Sequence, residues 1–187
     1  MCLVYLVHHM WRMREIPQEL GWTVLVIIPK GTTDTRVISL LETLWKVVEA
    51  LIDTRLCAIL QMHDVLHGFR SRRGMGMAIM YLKFAQELVS IDQDPLFLVL
   101  LDFMKSYDTV HRDCLHITLE GYEVVPQLCG ILDTFWDCQQ VVPRQNGFHV
   151  PAFPATRGTT QGRLVSPTLF NVVVDNIIRS WLAMIVD

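Results

Sequence analysis

Apolar positions along this chain alternate between two spacings, and the changes mark its predicted elements. Trp22–Pro29, "WTVLVIIP", is a short β-branched run ending at a proline, which predicts a strand. From Ser39 the apolar residues Leu41, Leu44, Trp45, Val48, Leu51 and Ile52 recur at steps of three and four. That spacing predicts an amphipathic helix with Glu42, Lys46, Glu49 and Asp53 on its wet side. A helix is predicted from about Met77 to Val89, and the unbroken apolar run "LFLVLL", Leu96–Leu101, reads as a more deeply buried strand. Helices are predicted over Asp102–Leu119, ending at Gly121, and over Pro126–Trp136.

The stretch "CQQVVPRQNGFHVPAF" reads as two short strands around Asn146-Gly147, a dipeptide that suits a tight hairpin. The last helix is marked by Ser166 as N-cap and Pro167 at the first helical position, with Phe170, Val173, Val174, Ile177, Trp181 and Leu182 as its apolar stripe. Helices and strands mix without repeats or an obvious linker, so the expected fold is one α+β domain over residues 1–187.

Composition changes this picture little. Apolar residues make up 51% and charged residues 19%, against about 25% charged in an average domain, so a core is assured and apolar surface is left over. No apolar run approaches the roughly 18 residues of a membrane span. The opening "MCLVYLVHHMW" lacks the basic leader and cleavage site of a signal peptide, so an intracellular location is expected. The five cysteines form no CxxC pair and read as reduced thiols.

The net charge of −3 argues against nucleic-acid binding by bulk electrostatics. The cations are clustered, however: Lys30 and Arg36 lie in "IPKGTTDTR", and Arg70, Arg72 and Arg73 in "HGFRSRRG". Either cluster could grip phosphates or only keep a loop soluble. Asp102, at the end of the apolar run, is either a helix cap or a carboxylate placed to bind a hard cation. Glycines 158 and 162 in "TRGTTQGRLVSP" free a loop ahead of a helix N-terminus, a geometry open to phosphate approach.

In this order and spacing the motifs "IPK…R.ISLLETLWKVVEALIDTRL", "HGFR..RG.G.AI", "LLDF.KSYDTV" and "NG…F…RGTTQG..VSPTLFNVVVDNIIR" resemble the reverse transcriptase domain of non-LTR retroelements and group II intron-like elements, from about Ile16 to Trp181. The resemblance implies a right-hand polymerase fold with a small antiparallel sheet, fingers over about 16–95 and part of a palm over about 96–187. It implies that Asp102 is the first catalytic, metal-binding aspartate, with the Phe103 backbone carbonyl beside it. Tyr107 matches the aromatic that excludes a ribose 2′-hydroxyl, and Gln161 and Gly162 match the loop touching incoming nucleotide and template. Lys30 and Arg36 match triphosphate-binding cations, and Arg70, Arg73 and Gly74 a template-supporting segment.

The implied reaction is RNA-templated DNA synthesis from a DNA primer and deoxynucleoside triphosphates, using two Mg²⁺ ions, with Mn²⁺ as a substitute. The family's second metal motif, an aromatic-x-Asp-Asp hairpin, has no match in these residues, nor does the thumb. The resemblance therefore implies a truncated, inactive portion. Arg163, directly after Gly162, is expected to crowd the nucleotide. An RNA-directed RNA polymerase fragment and a non-catalytic nucleic-acid-binding remnant are the alternative readings.

Overall fold

The computed structural model describes residues 2–30, 34–145 and 148–186. Helix α1 (Cys2–Met13) and a 3-10 turn at Gln18–Gly21 lead into β1 (Trp22–Lys30) and β2 (Asp34–Leu41). Helices α2 (Thr43–Ile59), α3 (Met75–Asp92), α4 (Ser106–Thr109), α5 (Arg112–Gly121) and α6 (Pro126–Cys138) follow. Strands β3 (Gln140–Gln145), β4 (Phe148–His149) and β5 (Phe153–Pro154) precede the last helix, α7 (Ser166–Val186).

The fold is α+β as expected, but its sheet is mixed rather than antiparallel. The strand order is β2-β1-β3-β4, with β5 also on β3. β1 pairs antiparallel with β2 and parallel with β3, Thr23 lying opposite both Leu41 and Val141. The chain passes through five helices between β1 and β3 and re-enters the sheet in the same direction, which a hairpin cannot do. β3 and β4 pair antiparallel as a hairpin, while the Asn146-Gly147 turn itself lies outside the described residues.

The core lies among α2, α5, α6 and α7. Trp45 stacks on Phe135 with centroids 4.0 Å apart, surrounded by Ile52, Leu56, Leu115, Leu119, Leu128, Ile131, Leu132, Leu169 and Val172, all buried. Pro126 occupies the first turn of α6, where its missing N–H costs nothing.

Several sequence expectations are corrected. The helix read from Ser39 begins at Thr43, because Ser39 and Leu41 pair with Leu25 and Thr23 in the sheet. On that helix Glu49 is completely buried, on the face that carries Trp45, Val48, Ile52 and Leu56. The run Leu96–Leu101 is no buried strand: Phe97 is 87% exposed and Leu100 85%, and it pairs with no described strand. Apolar content alone does not make a strand; a ladder partner for its N–H and C=O groups does.

The long helix expected over Asp102–Leu119 is instead α4 and α5, separated at Val110–His111. The cause is an incoming loop: Gly158 N–H donates to Val110 O and Thr159 N–H to Tyr107 O, both at 2.9 Å. Those carbonyls are thereby taken from a helical ladder.

The buried stripe of α7 is also rotated from the one expected. Leu169, Val172 and Asp175 are buried, while Ile177 and Trp181 are exposed. By length and composition α7 is apolar enough to cross a membrane, although Asp175 and Arg179 interrupt its apolar run. Its first half is part of the core, and it carries a buried carboxylate paired within the fold.

That carboxylate, Asp175, ties three segments together. Its Oδ1 accepts the His63 N–H at 2.5 Å, and its Oδ2 accepts the Tyr122 hydroxyl and Arg179 Nε, the latter at 2.6 Å. Burial alone would raise its pKa, but the hydrogen bonds from Arg179, Tyr122 and the His63 N–H outweigh that and hold it below the usual carboxylate value of 3.8. Burial and the bond to Asp175 push the Tyr122 hydroxyl up to about 12. A depressed folded-state pKa stabilises above the unfolded value and is lost as pH falls through the folded one. Asp175→Asn should therefore lower the thermal midpoint at pH 7, and the gap to the parent should close as pH drops below about 3.8. Melting curves taken down the pH scale will show this; a gap that persists at acid pH would contradict it.

Candidate functional site

Loop 155–165 is the piece around which the site assembles, and its two glycines are there for steric reasons. Gly158 has φ +82°, and a Cβ there would lie 2.9 Å from backbone atoms of Tyr107 and Asp108. Gly162 has φ +105°, and a Cβ would lie 2.7 Å from Ser39 O and 3.1 Å from Ile38 Cγ2. Both are left-handed backbone positions pressed against another segment, which only glycine tolerates. Between them, Gln161 O accepts the Ser39 N–H at 2.8 Å. The loop is thus fastened at one end to the Tyr107 segment and at the other to β2. Gly162→Ala should cost about 1–3 kcal/mol in urea unfolding. It should also speed exchange of the Ser39 amide.

The sheet end carries the predicted cations. Register places Ile28 opposite Arg36 and Val26 opposite Ile38, so Arg36, Ile38 and Lys30 share one face. Gly162 rests against Ile38, one same-face step (about 6.6 Å) from Arg36. Lys30 and Arg36 are exposed on adjacent strands rather than on one turn.

At the other end, Tyr107 in α4 packs its ring on Phe170 of α7 at 5.4 Å, and Phe103 meets the same ring edge-on at 5.9 Å. Burial raises the Tyr107 hydroxyl above its ordinary value. It also raises Asp108, against the opposing charge of Lys105. Asp102 precedes Phe103 and is exposed, with no hydrogen bond or ion pair among the described residues. Among those residues no group of three His, Cys, Asp or Glu side chains stands close enough to hold a metal ion. An ion at Asp102 would therefore find one carboxylate among the described residues and would need its other donors from elsewhere.

Arg163 does not crowd this site. It turns inward, its side chain 1% exposed, and its Nε donates to Glu49 Oε1 at 2.5 Å. The same carboxylate accepts Trp45 Nε1 at 3.0 Å and the Leu164 N–H at 3.1 Å. The cation needs a counter-charge once its loop is pinned to β2, and Glu49 supplies it. From the other side Arg112 donates to Ala155 O at 2.7 Å and Gly158 O at 3.2 Å, and burial followed by the nearby Arg163 pulls its pKa down to about 10. Ser166 turns its hydroxyl to the carbonyls of Thr159 and Thr160, so it braces the loop by donating. Sequence reasoning singled out none of Ser39, Glu49, Arg112 and Phe170 for the site; the glycine spacing was the one signal pointing to their neighbourhood.

The basic loop lies on α7, next along from Phe170: Asn171 Nδ2 donates to Gly68 O at 2.7 Å. Arg70 Nη1 donates to the carbonyls of His63 (2.7 Å) and Leu66 (3.1 Å), and Arg73 binds the carbonyl and carboxylate of Asp64. Both arginines thus staple the loop to itself, while Arg72 is exposed and Gly74 leads into α3.

The loop thus joins the Tyr107 segment to the β1–β2 hairpin that carries Lys30 and Arg36. Residues 28–186 match the family described as reverse transcriptase (RNA-dependent DNA polymerase). The chain belongs to the reverse transcriptase family. It is 23% identical over 171 residues to the retrovirus-related Pol polyprotein from the type-2 retrotransposable element R2DM of Drosophila melanogaster, a match covering 89% of this chain and 16% of that protein. It is 27% identical over 170 residues to the uncharacterized 149 kDa protein of transposon TX1 of Xenopus laevis, covering 86% of this chain and 13% of that protein. These matches identify a reverse transcriptase domain of the non-LTR retroelement type. The chain spans less than a fifth of the length of either relative.

Proposed function

We propose that this reverse transcriptase domain binds the deoxynucleoside triphosphate during RNA-templated DNA synthesis, in the space bounded by Tyr107, the Gln161-Gly162 loop and the Lys30/Arg36 face of the sheet. The observation that carries this reading is the fastening of one loop to both Tyr107 and β2. A nucleotide seated there would meet a ring at its sugar, backbone groups of the loop at its base, and two cations at its phosphates. Lys30 and Arg36 suit a polyanionic leaving group. The Tyr107 ring, held by Phe170, would fill the volume a 2′-oxygen needs, which favours a DNA-making enzyme over an RNA-making one.

In the proposed reaction a primer 3′-hydroxyl attacks the α-phosphate and pyrophosphate leaves. Asp102 would hold a Mg²⁺ together with substrate phosphates, and the ion would supply Lewis-acid polarisation of the phosphoryl oxygens. With one carboxylate in place, we assign nucleotide binding to these residues and turnover to a polypeptide in which a second carboxylate joins Asp102.

Titrating the chain with dTTP and with UTP in Mg²⁺ tests the reading. The deoxynucleotide should bind at least about tenfold more tightly, a difference of roughly 1.4 kcal/mol. Tyr107→Ala should erase the preference by strengthening UTP binding. Equal affinities in the parent would overturn the assignment of Tyr107.

A further inference from the structure

The Glu49–Arg163 pair is an odd feature for a core. Arg163 is 4% exposed and Glu49 fully buried, inside a cluster that includes Trp45 and Phe135. The Arg163 guanidinium lies 4.2 Å from the Phe135 ring centroid, and its Nη1 and Nη2 are buried with no acceptor among the described residues. A buried ion pair with unsatisfied donors is commonly no more stable than an apolar pair of the same volume. Stability alone gives no reason for it. Its position does: Arg163 and Leu164 follow Gly162 directly, and both bind the same carboxylate, that of Glu49 in α2.

We infer that Glu49 and Arg163 are positioning residues, a latch that draws the Gln161-Gly162 loop down onto β2 and so sets the height of the nucleotide site. Glu49 sits on a rigid core helix and accepts three donors, from Trp45, Arg163 and Leu164. Trp45 fixes the carboxylate, and the carboxylate fixes the loop. Two residues upstream of Arg163, Gln161 O then reaches the Ser39 N–H. Arg112 holds the other end of the loop through Ala155 O and Gly158 O, so releasing the latch frees only the Gln161-Gly162 end. The role in nucleotide positioning rests on the functional reading above, whereas the latch itself does not.

The experiment is residue-resolved amide exchange on the full chain, combined with dTTP titration. Glu49→Gln/Arg163→Met removes both charges and keeps one amide oxygen for Trp45. It should fold, with α6 amides as protected as in the parent, and the Ser39 amide should exchange at least about tenfold faster, a loss of roughly 1.4 kcal/mol of protection. Arg163→Lys keeps the charge pair but lacks the planar group that lies on Phe135. It guards against a double variant that does not fold, and should speed Ser39 exchange by a smaller factor. Unchanged Ser39 exchange in the folded variants overturns the latch. Where the parent binds dTTP, the double variant should bind it at least tenfold more weakly, and equal binding overturns the positioning role. A parent that does not bind dTTP refutes the nucleotide reading and leaves Ser39 exchange to decide the latch alone.

Discussion

Glu49→Ala on its own is expected to cost about 3–5 kcal/mol of folding stability. The loss comes less from the missing attraction than from what it strands. Arg163 would stay buried over Phe135 with every nitrogen unpaired, and the Trp45 indole and the Leu164 N–H would lose their acceptor. With a urea slope of roughly 1–3 kcal/mol per molar, the unfolding midpoint should fall by more than about 1 M. A shift smaller than a few tenths of a molar would show that water or movement of the loop relieves the charge. The neutral pair Glu49→Gln/Arg163→Met should be less damaging than Glu49→Ala, because it strands no cation.

The second large effect concerns chemistry. In a polypeptide that contains these residues and extends a primer, Asp102→Asn should lower the extension rate by about 10³-fold or more, the scale of several kcal/mol of lost transition-state stabilisation. Primer–template affinity should change little, since the Asp102 side chain is exposed and engages no neighbour among the described residues. Extension at the parent rate would remove Asp102 from the proposed site. A matching loss of template affinity would assign it a binding role instead.

Much of this was readable in the order of residues. The β-branched run at Trp22–Pro29 became β1 because such side chains suit a pleated surface, and Pro126 and Pro167 fell in the first turns of α6 and α7. The glycines at 158 and 162 marked a loop that presses on two other segments. What periodicity could not supply was the partner of each surface. Glu49 occupies a helical position that reads as polar and exposed until Arg163 arrives from 114 residues away. Arg163 reads as an obstruction until its side chain is seen turned inward.

The same limit applies to strands and helices. Leu96–Leu101 has the composition of a core strand and no described ladder partner, so it lies exposed. The helix expected from Asp102 is interrupted because loop amides take two of its carbonyls. In each case the decisive term is a contact across the chain, and local pattern carries no record of it. Tyr107 and the Gln161-Gly162 pair, which the family motifs single out, lie on segments that one loop connects, and their roles stand as proposed above.

The location of the nucleotide site is the central claim, and photocrosslinking tests it most directly. A base-azido deoxynucleoside triphosphate, irradiated with the chain in Mg²⁺, should label peptides containing Tyr107 and Gln161, with excess dTTP suppressing the label. Labelling confined to the separate cavity of about 640 Å³ lined by Thr118, Tyr122, Asn176 and Arg179 would contradict the claim, as would labelling that dTTP does not suppress.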